Sequence, residues 1–220
     1  MTLRSLLAIL WFTAFHANAE LPLHQLPSGL YGESLELAIN PSEKTVSGFF
    51  ESEGGYNPQT DRMTWRCSFY FSGKIKTDGD SDIVAVAVGL MNKGIFSKGT
   101  LTTAETPTPA VMLKLERILP GCSRGEDFLS ENPPTIFFSE RKKWIEFRMV
   151  STRQSYFYKT PFVQNQTKAY VTCGDIVVVM DKEPKSDRVQ VDYQGLKRAT
   201  SGWIRQADLL NIGETPACRR

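Results

Sequence analysis

Short segments in which apolar and polar side chains alternate make up most of this chain. In the clearest of them, residues 65–76, the side chains of Cys67, Phe69 and Phe71 fall on one face and the residues between them on the other. A two-residue period is that of a β-strand with one face against a core. About eight such segments recur roughly every 8 to 12 residues, which is typical of a barrel or sandwich. The sequence therefore predicts an all-β fold whose first domain, residues 29–152, is an antiparallel β-barrel or sandwich of about eight strands.

The last two segments of this domain, residues 135–139 and 144–150, are separated by the charged residues 140–143. Two strands joined by a short polar turn usually pair as an antiparallel hairpin. We therefore predict a hairpin here, and we place the domain boundary just after it, near residues 151–155.

Residues 1–19 have the three parts of a secretory signal peptide. Arg4 supplies a positive charge, residues 6–15 are apolar, and Ala17 and Ala19 provide the small side chains of a cleavage site. The apolar run is too short to span about 30 Å of hydrocarbon as a helix. We therefore expect cleavage after Ala19, export from the cytoplasm without membrane insertion, and an extended lead-in over residues 20–28.

The chain has four cysteines, Cys67, Cys122, Cys173 and Cys218. An even number of cysteines in an exported chain predicts two disulfides. Of the three possible pairings we favour Cys67–Cys122 and Cys173–Cys218, because each bond then stays inside one domain.

Metal binding is the weaker alternative for these cysteines. They lack the Cys-x-x-Cys spacing of zinc sites, and cleavage leaves a single histidine, His24. Residues 78–82 resemble the start of a calcium loop, but Ile83 and Gly89 stand where such a loop needs Gly and Glu. We predict no metal and no cofactor.

The charge balance argues against a nucleic-acid partner. The 26 basic residues nearly match the 24 acidic ones, for a formal charge of +2. Cleavage after Ala19 would remove Arg4 and no acid, which leaves the mature chain almost neutral. Nucleic-acid-binding domains carry a clear excess of positive charge.

The last part of the chain contains strand-like pieces separated by polar turns. Its informative stretches are YVTCGD at 170–175, the apolar run 176–180, VQV at 189–191, GWI at 202–204 and ADL at 207–209. With these stretches, residues 156–210 resemble a bacterial SH3 (SH3b) domain. The resemblance implies a small SH3-like β-barrel over residues 153–212, with 213–220 as a tail, and a bacterial periplasmic or secreted protein. SH3b domains often carry Trp before the Val-x-Val strand, where this chain has Asp187 and Arg188, so their binding of wall peptides does not carry over directly.

Four aromatic residues of this domain are candidate ligand contacts: Tyr156, Tyr158, Tyr193 and Trp203. Aromatic rings with a polar tip suit a groove for a peptide or a glycan. In the alternative, Trp203 belongs to the core and the tyrosines cover strand edges.

This chain lacks the catalytic residues of the enzymes that accompany SH3b domains. A Cys-His enzyme needs a thiolate beside a His base, but His24 lies in the lead-in and the cysteines are predicted to be oxidised. The shortage of His also argues against a Ser-His-Asp triad. A glycosidase needs only two carboxylates, and Glu51 and Glu53 leave that alternative open.

These observations predict an exported, non-enzymatic binding protein of the bacterial envelope. Its partner would be a protein or a peptidoglycan fragment, and one version is an immunity or inhibitor protein that blocks an envelope-targeting toxin or hydrolase. The alternatives are a peptidoglycan-active enzyme with an SH3b targeting domain and a structural envelope component.

Overall fold

The computed structural model of the chain describes residues 21–76, 80–87, 95–123, 127–162, 164–194, 199–215 and 217–219. The predicted signal peptide and its cleavage site lie outside these residues, and so do Asp78 and Gly89 of the calcium-like segment. None of the helices in the described part of the chain has the length and apolar character needed to span a bilayer.

Strands account for nearly all of the described secondary structure, as the alternating pattern predicts. Two short 3₁₀ helices, η1 (Leu23–Gln25) and η2 (Gln206–Asp208), accompany them. In chain order the strands are β1 (Gly29–Tyr31), β2 (Leu35–Asn40), β3 (Thr45–Asn57), β4 (Arg62–Ile75), β5 (Ser81–Ala87), β6 (Phe96–Thr103), β7 (Ala110–Leu115), β8 (Thr135–Arg141), β9 (Glu146–Met149), β10 (Gln154–Tyr158), β11 (Gln166–Thr172), β12 (Ile176–Lys182), β13 (Arg188–Gln194) and β14 (Ala199–Arg205).

The first eight strands form a closed antiparallel barrel in the order β1 to β8, in which β8 pairs with β1. The inward positions of β4 are those that the sequence predicts, since Cys67, Phe69, Phe71 and Ile75 are all buried. An eight-stranded barrel is just wide enough inside for side chains to fill it. The predicted β-barrel is therefore confirmed, and its interior is a packed apolar core.

Two segments outside the strands add side chains to the core at opposite ends of the barrel. The predicted extended lead-in contains η1, whose Leu23 is fully buried in the barrel core, and Ser28 bonds through its hydroxyl to the main chain of Ile39 near the end of β2. At the other end, Phe128 from the loop after β7 packs edge-on against Phe50 of β3. Phe50 pairs with Leu35, the first residue of β2. Leu23 and Phe128 therefore each extend the apolar core at one end of the barrel.

The remaining six strands form a second antiparallel sheet in the order β11-β10-β14-β13-β12-β9. Strand β9 belongs to it because residues 146–149 pair with residues 176–179 of β12. The predicted hairpin between 135–139 and 144–150 is therefore wrong, and β8 pairs with β7 and β1 instead. All residues of β9 are buried, so this strand gains cover from the barrel on one side and from the second sheet on the other.

The barrel and the second sheet share a buried layer of side chains. Tyr70 and Val86, on the outside of the barrel, pack with Phe147 and Met149 of β9. The Tyr70 hydroxyl donates to the Phe147 carbonyl at 3.3 Å, and the Phe147 N–H donates to Ser47 Oγ at 2.8 Å. This contact explains why Tyr70 is buried although the alternation places it on the outward face of β4.

Two disulfides are present, Cys67–Cys122 and Cys173–Cys218, the pairing that we favoured from the sequence. Both sulfurs of the first are buried in the barrel core. The second joins the turn between β11 and β12 to the end of the chain, so that the segment after η2 is held against the body of the protein.

Candidate functional site

Aromatic side chains are concentrated on the outer face of the second sheet. Val189 and Val191 of β13 are buried in the core of that sheet, so Gln190 between them points outward. Gln190 pairs with Trp203 of β14, and Trp203 pairs with Tyr158 of β10. Trp203 and Tyr158 are therefore neighbours on the outer face.

Tyr156 and Tyr170 extend this face to the edge strand β11. They are partners across β10 and β11, and their ring centroids are 5.7 Å apart. Tyr170 is 48% exposed whereas the next residue, Val171, is fully buried, so the tyrosine ring points to solvent. Tyr156, Tyr158, Tyr170 and Trp203 are called the aromatic face below.

Arg188 rigidifies one end of the aromatic face. Its guanidinium carbon lies 3.7 Å from the centroid of the Tyr158 ring, within the range of a cation–π contact. Its Nη1 donates to the Pro161 carbonyl at 3.0 Å, and the Ser186 hydroxyl donates to the same oxygen at 2.9 Å. Tyr158 is nearly buried beneath Arg188, so it supports the face and leaves Tyr156, Tyr170 and Trp203 to meet a ligand.

Three of the four candidate ligand contacts from the sequence, Tyr156, Tyr158 and Trp203, thus come together on one face. Tyr193 lies on the opposite face, because it has the same parity along β13 as Val189 and Val191 and packs against the same core. Tyr170 was missed by the sequence argument. Because Tyr170 alternates with the apolar Val171, the sequence pattern indicates that its side chain points outward.

Tyr193 has a structural role on the inner face. Its hydroxyl donates to Asp175 Oδ1 at 3.0 Å, and Asp175 Oδ2 accepts the N–H of Thr172 at 2.6 Å. Burial and then the negative charge of Asp175 raise the pKa of Tyr193 to about 12. The bond fixes the turn that the Gly-Asp pair opens.

We expect the protein to lose stability between pH 10 and pH 12. Burial raises the pKa of Tyr70 to about 12 from the ordinary 10.0, and Tyr193 has a similar value. Because the folded state holds these protons more tightly than the unfolded state, their contribution is complete below pH 10 and disappears as pH rises through 12. Urea unfolding across this range tests it, with Tyr70→Phe expected to fall less steeply. Equal steepness in that variant would contradict the assignment to Tyr70.

The carboxylates that left a glycosidase open lie on one strand of the barrel. Glu51 forms an ion pair with Arg66, and Glu53 is the residue opposite Arg66 across β3 and β4. Being two residues apart, they point the same way and do not flank a cleft as glycosidase carboxylates do. Burial raises the pKa of Glu36, and the charge of Glu51 raises it further.

The residues of nucleophilic and metal chemistry are dispersed. His24 is exposed in η1, and all four cysteines are in disulfides. Within the described ranges, no three His, Cys, Asp or Glu side chains are grouped so as to hold a metal ion.

Known protein families, curated proteins and solved structures give no match to this chain when compared with it. The aromatic face is therefore interpreted from its own geometry.

Proposed function

We propose that the chain is an exported binding protein of the bacterial envelope that holds its partner on the aromatic face. The single observation that supports this most is the row of Tyr156, Tyr170 and Trp203 on neighbouring strands, of which Tyr170 is exposed and the other two are partly exposed. Two disulfides fit a protein that works outside the reducing cytoplasm. The resemblance of residues 156–210 to SH3b domains supports the bacterial envelope as the place where the protein acts.

The partner chemistry follows from the shape and polarity of this face. Flat rings with hydroxyl or indole N–H tips suit sugar rings and extended peptides, which offer apolar faces edged by polar groups. Strand β11 pairs only with β10 among the described strands, so its outer edge can also accept an extended peptide by main-chain hydrogen bonds. Phe162, which is 61% exposed, follows Pro161 beside Arg188 and adds apolar surface. We therefore assign a protein segment or a peptidoglycan fragment as partner.

A protein partner would make the chain an immunity or inhibitor protein directed at an envelope toxin or hydrolase. A wall fragment as partner would make it a wall-associated protein. Capture from periplasmic extract, with and without purified peptidoglycan, separates the two. Recovery of neither partner would contradict the proposal, and lysis of peptidoglycan in a zymogram would replace it with an enzyme.

Tyr170→Ala is expected to weaken partner binding about tenfold, because an exposed aromatic contact at an interface contributes about 1–2 kcal/mol. Because Tyr170 is exposed, we expect the variant to keep the fold, and circular dichroism checks this. The matched control is Tyr56→Ala, which removes a tyrosine that is 58% exposed on the β3–β4 hairpin. Equal weakening in both variants would contradict the placement of the site on the aromatic face.

A further inference from the structure

A groove of about 850 Å³ crosses the outer wall of the barrel, over β4, β5, β6 and β7. Residues 212–214, in the segment after η2, form its other wall. This wall is attached where the Gly213 N–H donates to Ser72 Oγ at 3.0 Å, and the Cys173–Cys218 disulfide anchors the chain beyond it. The volume lies within the range of small-molecule sites. The groove is separate from the aromatic face, which belongs to the other sheet.

Three lysines line the groove: Lys74 on β4, Lys98 on β6 and Lys114 on β7. Among the described residues none of these ammonium groups has an ion-pair partner. Lys74 stands opposite Asp82, Asp82 opposite Thr100, and Thr100 opposite Lys114, so one row of residues runs across all four strands. Because neighbouring strands are about 4.8 Å apart, Lys74 and Lys114 start roughly 14 Å from each other. Positive charge therefore lies at both ends of the groove.

One of the three acidic side chains of the groove has an ion-pair partner among the described residues. Asp82 is ion-paired with Lys76, at 2.8 Å from its Nζ. Glu214 accepts a hydrogen bond from Asn211 Nδ2 at 2.6 Å, which holds the pKa of its carboxyl below the usual value. Glu116 stands at the β7 end. Among the described residues, three ammonium groups without an ion-pair partner thus face two such carboxylates, Glu116 and Glu214, which leaves an excess of positive charge.

The middle of the groove is less polar than its ends. Val84 points outward from β5 between the lysines, and Ile212 faces the groove from the opposite wall. Beneath them the strands approach closely, since a Cβ on Gly73 or Gly99 would lie 2.0 or 2.1 Å from a neighbouring carbonyl oxygen. The glycines therefore fix the shape of this part of the wall.

We propose that this groove binds an elongated dianion, with a carboxylate or phosphate group at each end and an apolar middle. One anionic group pairs with Lys74, and the other with Lys98 and Lys114. The apolar middle packs between Val84 and Ile212. The segment 212–214 acts as a fixed wall because the Ser72 bond holds its middle residue, Gly213, and the disulfide anchors the chain beyond it.

Isothermal titration calorimetry with defined probes tests this proposal. Octanedioate and 1,6-hexanediol bisphosphate each carry two anionic ends. The probe that binds shows whether the groove takes carboxylate or phosphate groups. The controls with a single anionic group are octanoate and inorganic phosphate. The control with the opposite charge is 1,8-diaminooctane. We expect a Kd of about 1 mM or tighter for a two-ended anion and about tenfold weaker binding of the single anions.

The triple variant Lys74→Gln, Lys98→Gln, Lys114→Gln should reduce the affinity for the two-ended probe at least about tenfold, by removing the ammonium groups from the groove. Lys185→Gln, in the turn between β12 and β13, removes a lysine outside the groove and should leave the affinity unchanged. The substituted lysines are on the protein surface, and unfolding curves verify that the variants fold. Absence of binding of both two-ended probes, equal binding of single anions, or full affinity in the triple variant would overturn the proposal.

Discussion

Replacing Glu146 by Gln is expected to lower the free energy of unfolding by about 3 kcal/mol, because it leaves a buried guanidinium without its counter-charge. Glu146 is 1% exposed. Its carboxylate accepts hydrogen bonds from Arg148 at 3.1 Å, from Lys182 at 3.0 Å and from Asn40 of the barrel at 3.4 Å. The side chain thus joins β9, β12 and the barrel at one point.

Urea unfolding followed by circular dichroism measures this change. The matched control is Glu140→Gln, which removes an exposed carboxylate paired with Lys142 and should cost less than about 1 kcal/mol. Similar losses in the two variants would show that burial of the Glu146 pair does not matter.

A double variant separates the cost of an unpaired charge from the value of the pair itself. Glu146→Leu with Arg148→Met removes both charges, and buried pairs replaced by apolar side chains are often neutral or better. Arg148 also donates to the Leu210 carbonyl at 2.6 Å, and that bond is lost. We therefore expect the double variant to recover most of the stability but not all of it. A double variant less stable than Glu146→Gln would mean that the pair itself stabilises the fold.

Removing the disulfide of the barrel core has the second large expected effect. The residues of Cys67–Cys122 are 55 positions apart, and closing a loop of this length restricts the unfolded chain by about 4 kcal/mol. Cys67→Ala with Cys122→Ala should therefore cost about that much, plus about 1 kcal/mol for the cavity left by two buried sulfurs. Thermal and urea unfolding of the oxidised proteins measure the loss.

The second disulfide is the natural control. Cys173 and Cys218 are 45 positions apart, so the chain-entropy contribution is also about 4 kcal/mol. Both cysteines are only half-buried, and their replacement by Ala should leave little cavity. A reductant should also open this bond first, because its sulfurs are more accessible. A larger loss for Cys173→Ala with Cys218→Ala, or faster reduction of the core bond, would contradict this ranking.

The strands of the barrel could be predicted because their inward side chains follow the alternation closely. Cys67, Phe69 and Phe71 are buried as their spacing requires. The same logic holds for β12, where Val177 and Val179 lie in the core of the second sheet and the alternate residues face the barrel. A strand that is apolar on both faces needs cover on both, and β12 has it.

The position of β9 could not be predicted from local sequence. Residues 146–149 are as far along the chain from β8 as a hairpin partner would be, yet they pair with β12. Which distant strand completes a sheet depends on packing between layers and not on the turn that precedes it. The burial of Tyr70 could not be predicted for the same reason, because Phe147, which covers it, lies on β9.

The candidate site was predictable in part. Tyr193 has the same parity along β13 as the apolar Val189 and Val191, so its place on the inner face could have been predicted from the sequence. The groove on the barrel wall could not be predicted from the sequence. Its lysines, Lys74, Lys98 and Lys114, are brought together only by the registers of β4 to β7.

The crossing of β9 into the second sheet limits how the two halves of this protein can be exchanged during evolution. A segment transferred from residue 153 onward would arrive without β9, and the main-chain groups of β12 that β9 occupies would stay exposed. Open strand edges of this kind promote association with other chains. A gene fusion that keeps the second sheet intact must therefore join the chain within residues 142–145, before β9 begins.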